Sequence, residues 1–107
     1  MIIMPDADLD MAIKASVFAA VGTCGQRCTT LRRMIIHDSI FDQVASRMTK
    51  AYQTIKIGDP LDPSTLCGPL HSKQQISIFQ DGLKEIEKQG GKVLVGGKVI
   101  ESDGNYV

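Results

Sequence analysis

Residues 15–21, ASVFAAV, constrain the fold more than any other stretch of the chain. They carry no charge and lie in a helix that Pro5-Asp6 is expected to open and that ends near Gly22. Asp6, Asp8 and Asp10 fall in its first turn, where negative charge suits the positive end of the helix dipole. A helix apolar nearly all round must be covered on most sides, and a chain of 107 residues has few places to bury one whole. The expectation is that its cover includes neighbours outside these residues.

The same run excludes several function classes. It falls far short of the roughly 20 residues that span a bilayer, and the N-terminus is acidic where a signal peptide would be basic. Twelve basic residues balance twelve acidic ones, so no net field attracts nucleic acid or anionic lipid. Three cysteines at uneven spacing do not make a disulfide framework, which points to a reducing compartment, the cytosol or the mitochondrial matrix. With 43% hydrophobic and 22% charged residues, the expectation is a soluble α/β chain that binds neither membrane nor nucleic acid.

The periodicity supports that class. MIIM at the start and RRMIIH over residues 32–37 read as strands, and a helix beginning at Asp38 or Ser39 carries Ile40, Phe41, Val44, Met48, Ala51, Tyr52 and Ile55 at helical spacing. Residues 56–71 hold three Asp-Pro or Gly-Pro pairs and form a long ordered loop. Ser72-Lys73-Gln74-Gln75 has the form of a capping box, opening a helix with Ile76, Phe79, Leu83 and Ile86 as its apolar stripe and Gly90-Gly91 as its stop. KVLV, Gly96-Gly97 and KVI then read as a short C-terminal hairpin.

The chemistry concentrates in VGTCGQRCTTLRR, residues 21–33. A cysteine attacks as its thiolate, which positive neighbours and exposed backbone N–H groups favour. Cys28 follows Gly25, which lets the chain turn sharply, and has Arg27 and Arg32 close in sequence. Thr29 and Thr30 would start a helical turn with its N–H groups toward the thiol. The plainer reading of Cys28 is a small buried residue at a helix-to-strand junction.

FAAVGTCGQRCTTLRRMIIHDSIFDQV, GDPLDPSTLCGPLHSKQ and GGKVIESDGNYV together resemble the aldehyde dehydrogenase superfamily, and within it the antiquitin branch, over essentially the whole chain. The resemblance implies residues 1–107 of a catalytic domain, an NAD-dependent oxidation of an aldehyde or semialdehyde such as α-aminoadipic semialdehyde, and a homo-oligomeric parent. It implies Cys28 as the nucleophile, with its own backbone N–H on the oxyanion, and Arg27 as the group that takes the carboxylate of a semialdehyde acid. The alternative for Arg27 is a surface ion pair. Gln75, or Gln74 beside it, stands near a family position that touches the nicotinamide ribose, although a capping role also accounts for Gln75.

The resemblance also implies absent parts. The glutamate that activates water, the amide of the oxyanion hole, the ribose-binding glutamate and most of the dinucleotide-binding domain match nothing here; Glu85, Glu87 and Glu101 do not fit those roles. The chain by itself is therefore expected to be inactive. Cys24 reads as a packing residue or, alternatively, as a thiol that pairs with Cys28. Cys67 reads as a surface or packing thiol, His37 and His71 as strand-end and loop residues, and no residues pair up as metal ligands. The rival function classes are a non-catalytic fragment and a thiol redox protein using Cys24 and Cys28.

Overall fold

Met-Ile-Ile occurs at residues 1–3 and again at residues 34–36, and the two copies lie side by side. The computed structural model describes residues 1–107 and divides into two compact units, residues 1–55 and 56–107. In the first, strand β1 (Ile2–Ile3) pairs in parallel with strand β2 (Ile35–Ile36), Ile2 opposite Ile35 and Ile3 opposite Ile36. The connection is helix α1 (Leu9–Val21), giving a β-α-β unit. After β2, His37 accepts through its Nδ1 from the Ser39 N–H at 3.2 Å, capping a short turn over Asp38–Ile40 that leads into helix α2 (Phe41–Gln53).

The start of α1 differs from the expectation. Pro5 and Asp6 form a turn closed by the Ala7 N–H on the Met4 carbonyl, and the helix begins only after Asp8, whose carboxylate accepts from the N–H groups of Asp10 and Met11 at 3.0 Å. Proline at the second position of a turn and aspartate at the helix cap are each placed by backbone chemistry, so Asp6 stays outside the helix. α1 and α2 pack together, and the ion pair of Arg47 with Asp10 ties the first turn of α1 to α2.

Ile3, Ile13 and Val44 form the buried centre of this unit, surrounded by Leu9, Val17, Met34, Ile36, Met48 and Ala51. Ser16 is fully buried with them, and its hydroxyl donates to the Met1 sulfur at 3.1 Å. The opposite side of α1 is uncovered: Met11 is 67% and Phe18 70% exposed. Alternation in the strands turns Ile2 and Ile35 away from the core, and both are exposed. Of the expected α2 stripe, Val44 is fully buried and Ile40, Met48 and Ala51 pack against the core, whereas Phe41 is exposed and Ile55 follows the helix end.

In the second unit, residues 56–67 close on themselves. The Lys56 carbonyl accepts from Leu66 and Cys67, the Gly58 N–H donates to the Cys67 carbonyl, and Cys67 is buried against this closure. Asp59 and Asp62 each accept from the backbone two residues on, Leu61 and Ser64, at 2.8 Å. These are the side-chain turns that aspartate favours. Helix α3 (Lys73–Lys88) ends in a Schellman motif, with Gly90 at φ +79°, the Gly90 N–H on Glu87 and the Gly91 N–H on Ile86.

Two local expectations fail in this unit. The Ser72 hydroxyl makes no capping bond; it is buried without a partner, and the Gln75 N–H reaches the Ser72 carbonyl instead. Residues 92–99 form no hairpin ladder, although Gly96 and Gly97 both take the positive φ that a tight hairpin turn requires. A lone two-stranded ribbon is marginal in water, and the C-terminal pairing that does form is between Ile100 and Tyr106, with Asn105 bonded to Leu70 on both its carbonyl and its amide side. No helix is long and apolar enough to cross a membrane.

Candidate active site

Cys28 is exposed, at the tip of a loop that starts and ends on the last turn of α1. The Gly22 N–H donates to the Phe18 carbonyl, and Leu31 returns to donate to Ala19 at 3.0 Å. The first is the last i→i−4 bond of the helix, and the second satisfies a carbonyl that the helix end leaves without an intrahelical partner. Between these anchors the chain makes two reversals. Thr23, Cys24 and Gly25 take φ of 52°, 53° and 70°, three consecutive left-handed residues closed by the Gln26 N–H on the Thr23 carbonyl.

Left-handed conformation suits Gly25 but is unfavourable for cysteine and more so for a β-branched threonine. The second reversal is a turn over residues 27–30, with the Thr30 N–H on the Arg27 carbonyl at 3.2 Å and the Arg27 N–H on the Thr30 hydroxyl at 3.1 Å. Cys28 and Thr29 occupy its two central positions.

This geometry alters the local expectation. The Thr30 N–H is committed to Arg27, so no helical turn starts here with its donors toward the thiol. The Cys28 N–H, by contrast, donates to no other group in the chain, leaving it available to an oxygen that forms beside the sulfur. The buried reading of Cys28 does not hold, since a turn tip pinned only at its base leaves the residue exposed.

The Arg27 side chain folds back along α1. Its Cζ lies 5.1 Å from the centroid of the Phe18 ring, within cation–π range, and its Nε donates to the Thr23 hydroxyl at 3.3 Å. It makes no ion pair with any carboxylate of the chain. Arg32 reaches the loop by donating to the Arg27 carbonyl at 3.4 Å. The sequence pointed to Arg27 but not to Phe18 and Gly22, its seat; the available signal was a phenylalanine and a glycine four apart at the end of an apolar helix.

Cys24 is half-buried at the centre of the left-handed turn, and all three cysteines are thiols. Gln74 and Gln75 lie in the first turn of α3, Gln74 exposed and Gln75 half-buried. Gln75 carries an amide and Ser72 a buried hydroxyl without a partner, groups of the kind that bond sugar hydroxyls. His37 caps a turn, and His71 precedes α3. No three His, Cys, Asp or Glu side chains gather where a metal could sit.

The aldehyde dehydrogenase family profile matches residues 1–107. The chain is 50% identical over 107 residues to a putative aldehyde dehydrogenase family 7 member A1 homolog of Dictyostelium discoideum, covering 99% of this chain and 21% of that protein. It is 52% identical over 102 residues to the alpha-aminoadipic semialdehyde dehydrogenase of Rattus norvegicus, covering 95% of this chain and 19% of that one. The structure superposes with TM-score 0.94 and 36% identity on succinic semialdehyde dehydrogenase from Streptococcus pyogenes, solved in complex with NADP+, over 100% of this chain and 24% of the other. The chain thus spans about a fifth of the length of these curated relatives.

Proposed function

From the premise that this chain belongs to the aldehyde dehydrogenase family, we propose that it carries the nucleophile loop of an enzyme that oxidises a carboxylate-bearing aldehyde of the α-aminoadipic semialdehyde type, as part of that enzyme's catalytic domain. The observation that carries this reading is Cys28, exposed at a turn tip with its own N–H uncommitted.

The Cys28 thiolate adds to the aldehyde carbon, and the carbonyl oxygen, gaining negative charge, accepts from the Cys28 N–H. Arg27 takes the carboxylate at the far end of the substrate and so fixes where the aldehyde lies. NAD, when bound, supplies the acceptor for the hydride that aldehyde oxidation releases. Gln75 and Ser72 at the start of α3 would hold a ribose hydroxyl of that cofactor. Acid release, which returns Cys28 to its thiol, requires a water-activating carboxylate that these residues do not provide, so the 107 residues alone are expected not to turn over. A homo-oligomeric parent in the cytosol or mitochondrial matrix belongs to the same reading.

A segment exchange tests it. Residues 1–107 replace the matching segment of the rat alpha-aminoadipic semialdehyde dehydrogenase, to which the identity is 52% over 102 residues. NADH formation from α-aminoadipic semialdehyde is then followed for the exchanged protein and for its Cys28→Ala and Arg27→Gln variants. Retained turnover, abolished by Cys28→Ala, with KM raised more than kcat is lowered in Arg27→Gln, is the expected outcome. A folded, NAD-binding exchange protein without turnover, or one that Cys28→Ala leaves active, would overturn the reading.

A further inference from the structure

The Arg27 side chain rests against the end of α1. Phe18 and Gly22 stand four residues apart and therefore on one face of the helix end. The guanidinium lies over both: 5.1 Å from the Phe18 centroid, and so close above Gly22 that a methyl group there would overlap its Nη2 outright and come within 2.6 Å of its Cζ. Gly22 itself has φ −50°, a value any residue adopts. The backbone therefore does not require glycine at this position; the guanidinium does.

Thr23 takes the Nε proton, and the two Nη groups have no acceptor in the chain. What remains is a cation with no carboxylate of its own and with Nη protons uncommitted within the chain, a group that pairs with an incoming carboxylate.

We infer that Phe18 and Gly22 are positioning residues that hold the Arg27 guanidinium for the carboxylate of the substrate, and so set the preference of the Cys28 site for acidic over neutral aldehydes. The inference rests on the reading of Cys28 and Arg27 given above and adds how Arg27 is held. Arginine side chains are long and flexible, and an exposed one loses much of its pairing energy to side-chain entropy. A ring face and, beside it on the same helix face, a missing Cβ remove that freedom before substrate arrives, which is preorganisation. Substitution of Gly22 is cheap for the fold, because the only group displaced is the end of a flexible side chain, and Phe18 is 70% exposed and outside the core.

The test uses the chain itself and needs no turnover. Cys28 is alkylated with N-iodoacetyl-γ-aminobutyrate and, separately, with its neutral N-methylamide. In each case the thiolate displaces iodide and forms one S–C bond. The ratio of the two rates, read at the Cys28 peptide by mass, normalises each variant for thiol reactivity and exposure. Arg27→Gln is expected to lower the acid-to-amide ratio about three- to tenfold, the range of a partly exposed charge-assisted pair.

Gly22→Ala and Phe18→Leu should fall to the same low ratio, and Phe18→Tyr, which keeps the ring face, should retain the high one. Gly22→Ala and Phe18→Leu keeping the high ratio while Arg27→Gln loses it would overturn the seat and leave the role of Arg27 standing. An unchanged ratio in Arg27→Gln would remove that role and the seat together. Equal loss in Phe18→Leu and Phe18→Tyr would show that the ring face does not hold the guanidinium.

Discussion

Each of the three thiols sits in a different setting, and accessibility orders their reactivity. Cys28 is exposed on a turn tip, Cys24 is half-buried inside a left-handed turn, and Cys67 is 6% exposed behind the closed loop of the second unit. Alkylation with limiting neutral iodoacetamide, followed by peptide mapping, should label Cys28 first and Cys67 last; earlier labelling of Cys67 would contradict this arrangement. What marks residue 28 in the sequence is its neighbours, a glycine before it and arginines around it. The direction of Arg27 was not legible, because a side chain of that length is placed by whatever flat surface lies within reach, here the ring of Phe18.

At the scale of elements, the caps of α1 and α3 differ in kind. Asp8 accepts two N–H groups at the start of α1, whereas Ser72 at the start of α3 accepts none. Asp8→Ala should cost about 1 kcal/mol in urea unfolding, while Ser72→Ala should be near neutral, since removing a buried hydroxyl that makes no bond releases its desolvation cost. A large loss in Ser72→Ala would show that the hydroxyl is bonded.

The loop over residues 56–67 adds a pH dependence. Asp62, bonded to Lys56 and Ser64, has its pKa lowered from 3.8 to about 2. A carboxylate with a depressed folded pKa contributes to stability above its unfolded value and loses that contribution as pH falls through the folded one. Anchoring of this loop should therefore be intact above about pH 4 and lost toward about pH 2. An NMR titration of the Asp62 carboxyl carbon should show the low midpoint, and Lys56→Met should raise it; a midpoint unmoved by Lys56→Met would remove the lysine as its main cause.

For the whole molecule, the decisive prediction concerns turnover. A positioned acid or base is worth about 10²- to 10⁴-fold in rate, and the proposed reaction assigns its water-activating carboxylate to no residue of this chain. Incubated with NAD and α-aminoadipic semialdehyde, the 107-residue chain should give no steady NADH formation. Steady formation that disappears in Cys28→Ala would show that the chain completes its own site. Membership of the aldehyde dehydrogenase family and the α/β class were both legible in the motifs and periodicity; the partition into residues 1–55 and 56–107 was not, because it depends on which distant residues meet.

The sequence by itself determined the features that rest on local chemistry: the apolar run of α1, the apolar periods of α2 and α3, the glycine stop of α3, the proline-broken loop over residues 56–71, and the cysteine-centred motif. Backbone preference and side-chain spacing act within a few residues, so they can be read along the chain. Tertiary structure decided the rest. It brought Met1-Ile2-Ile3 beside Met34-Ile35-Ile36, and it left the expected ladder over residues 92–99 unformed while pairing Ile100 with Tyr106. It buried only Ile13 and Ser16 of a helix whose composition is apolar nearly all round. Its closure of the Cys28 loop onto Ala19 laid Arg27 over Phe18 and Gly22. Those outcomes depend on which surfaces are present to cover an apolar face or receive a guanidinium, and that is a property of the assembled chain.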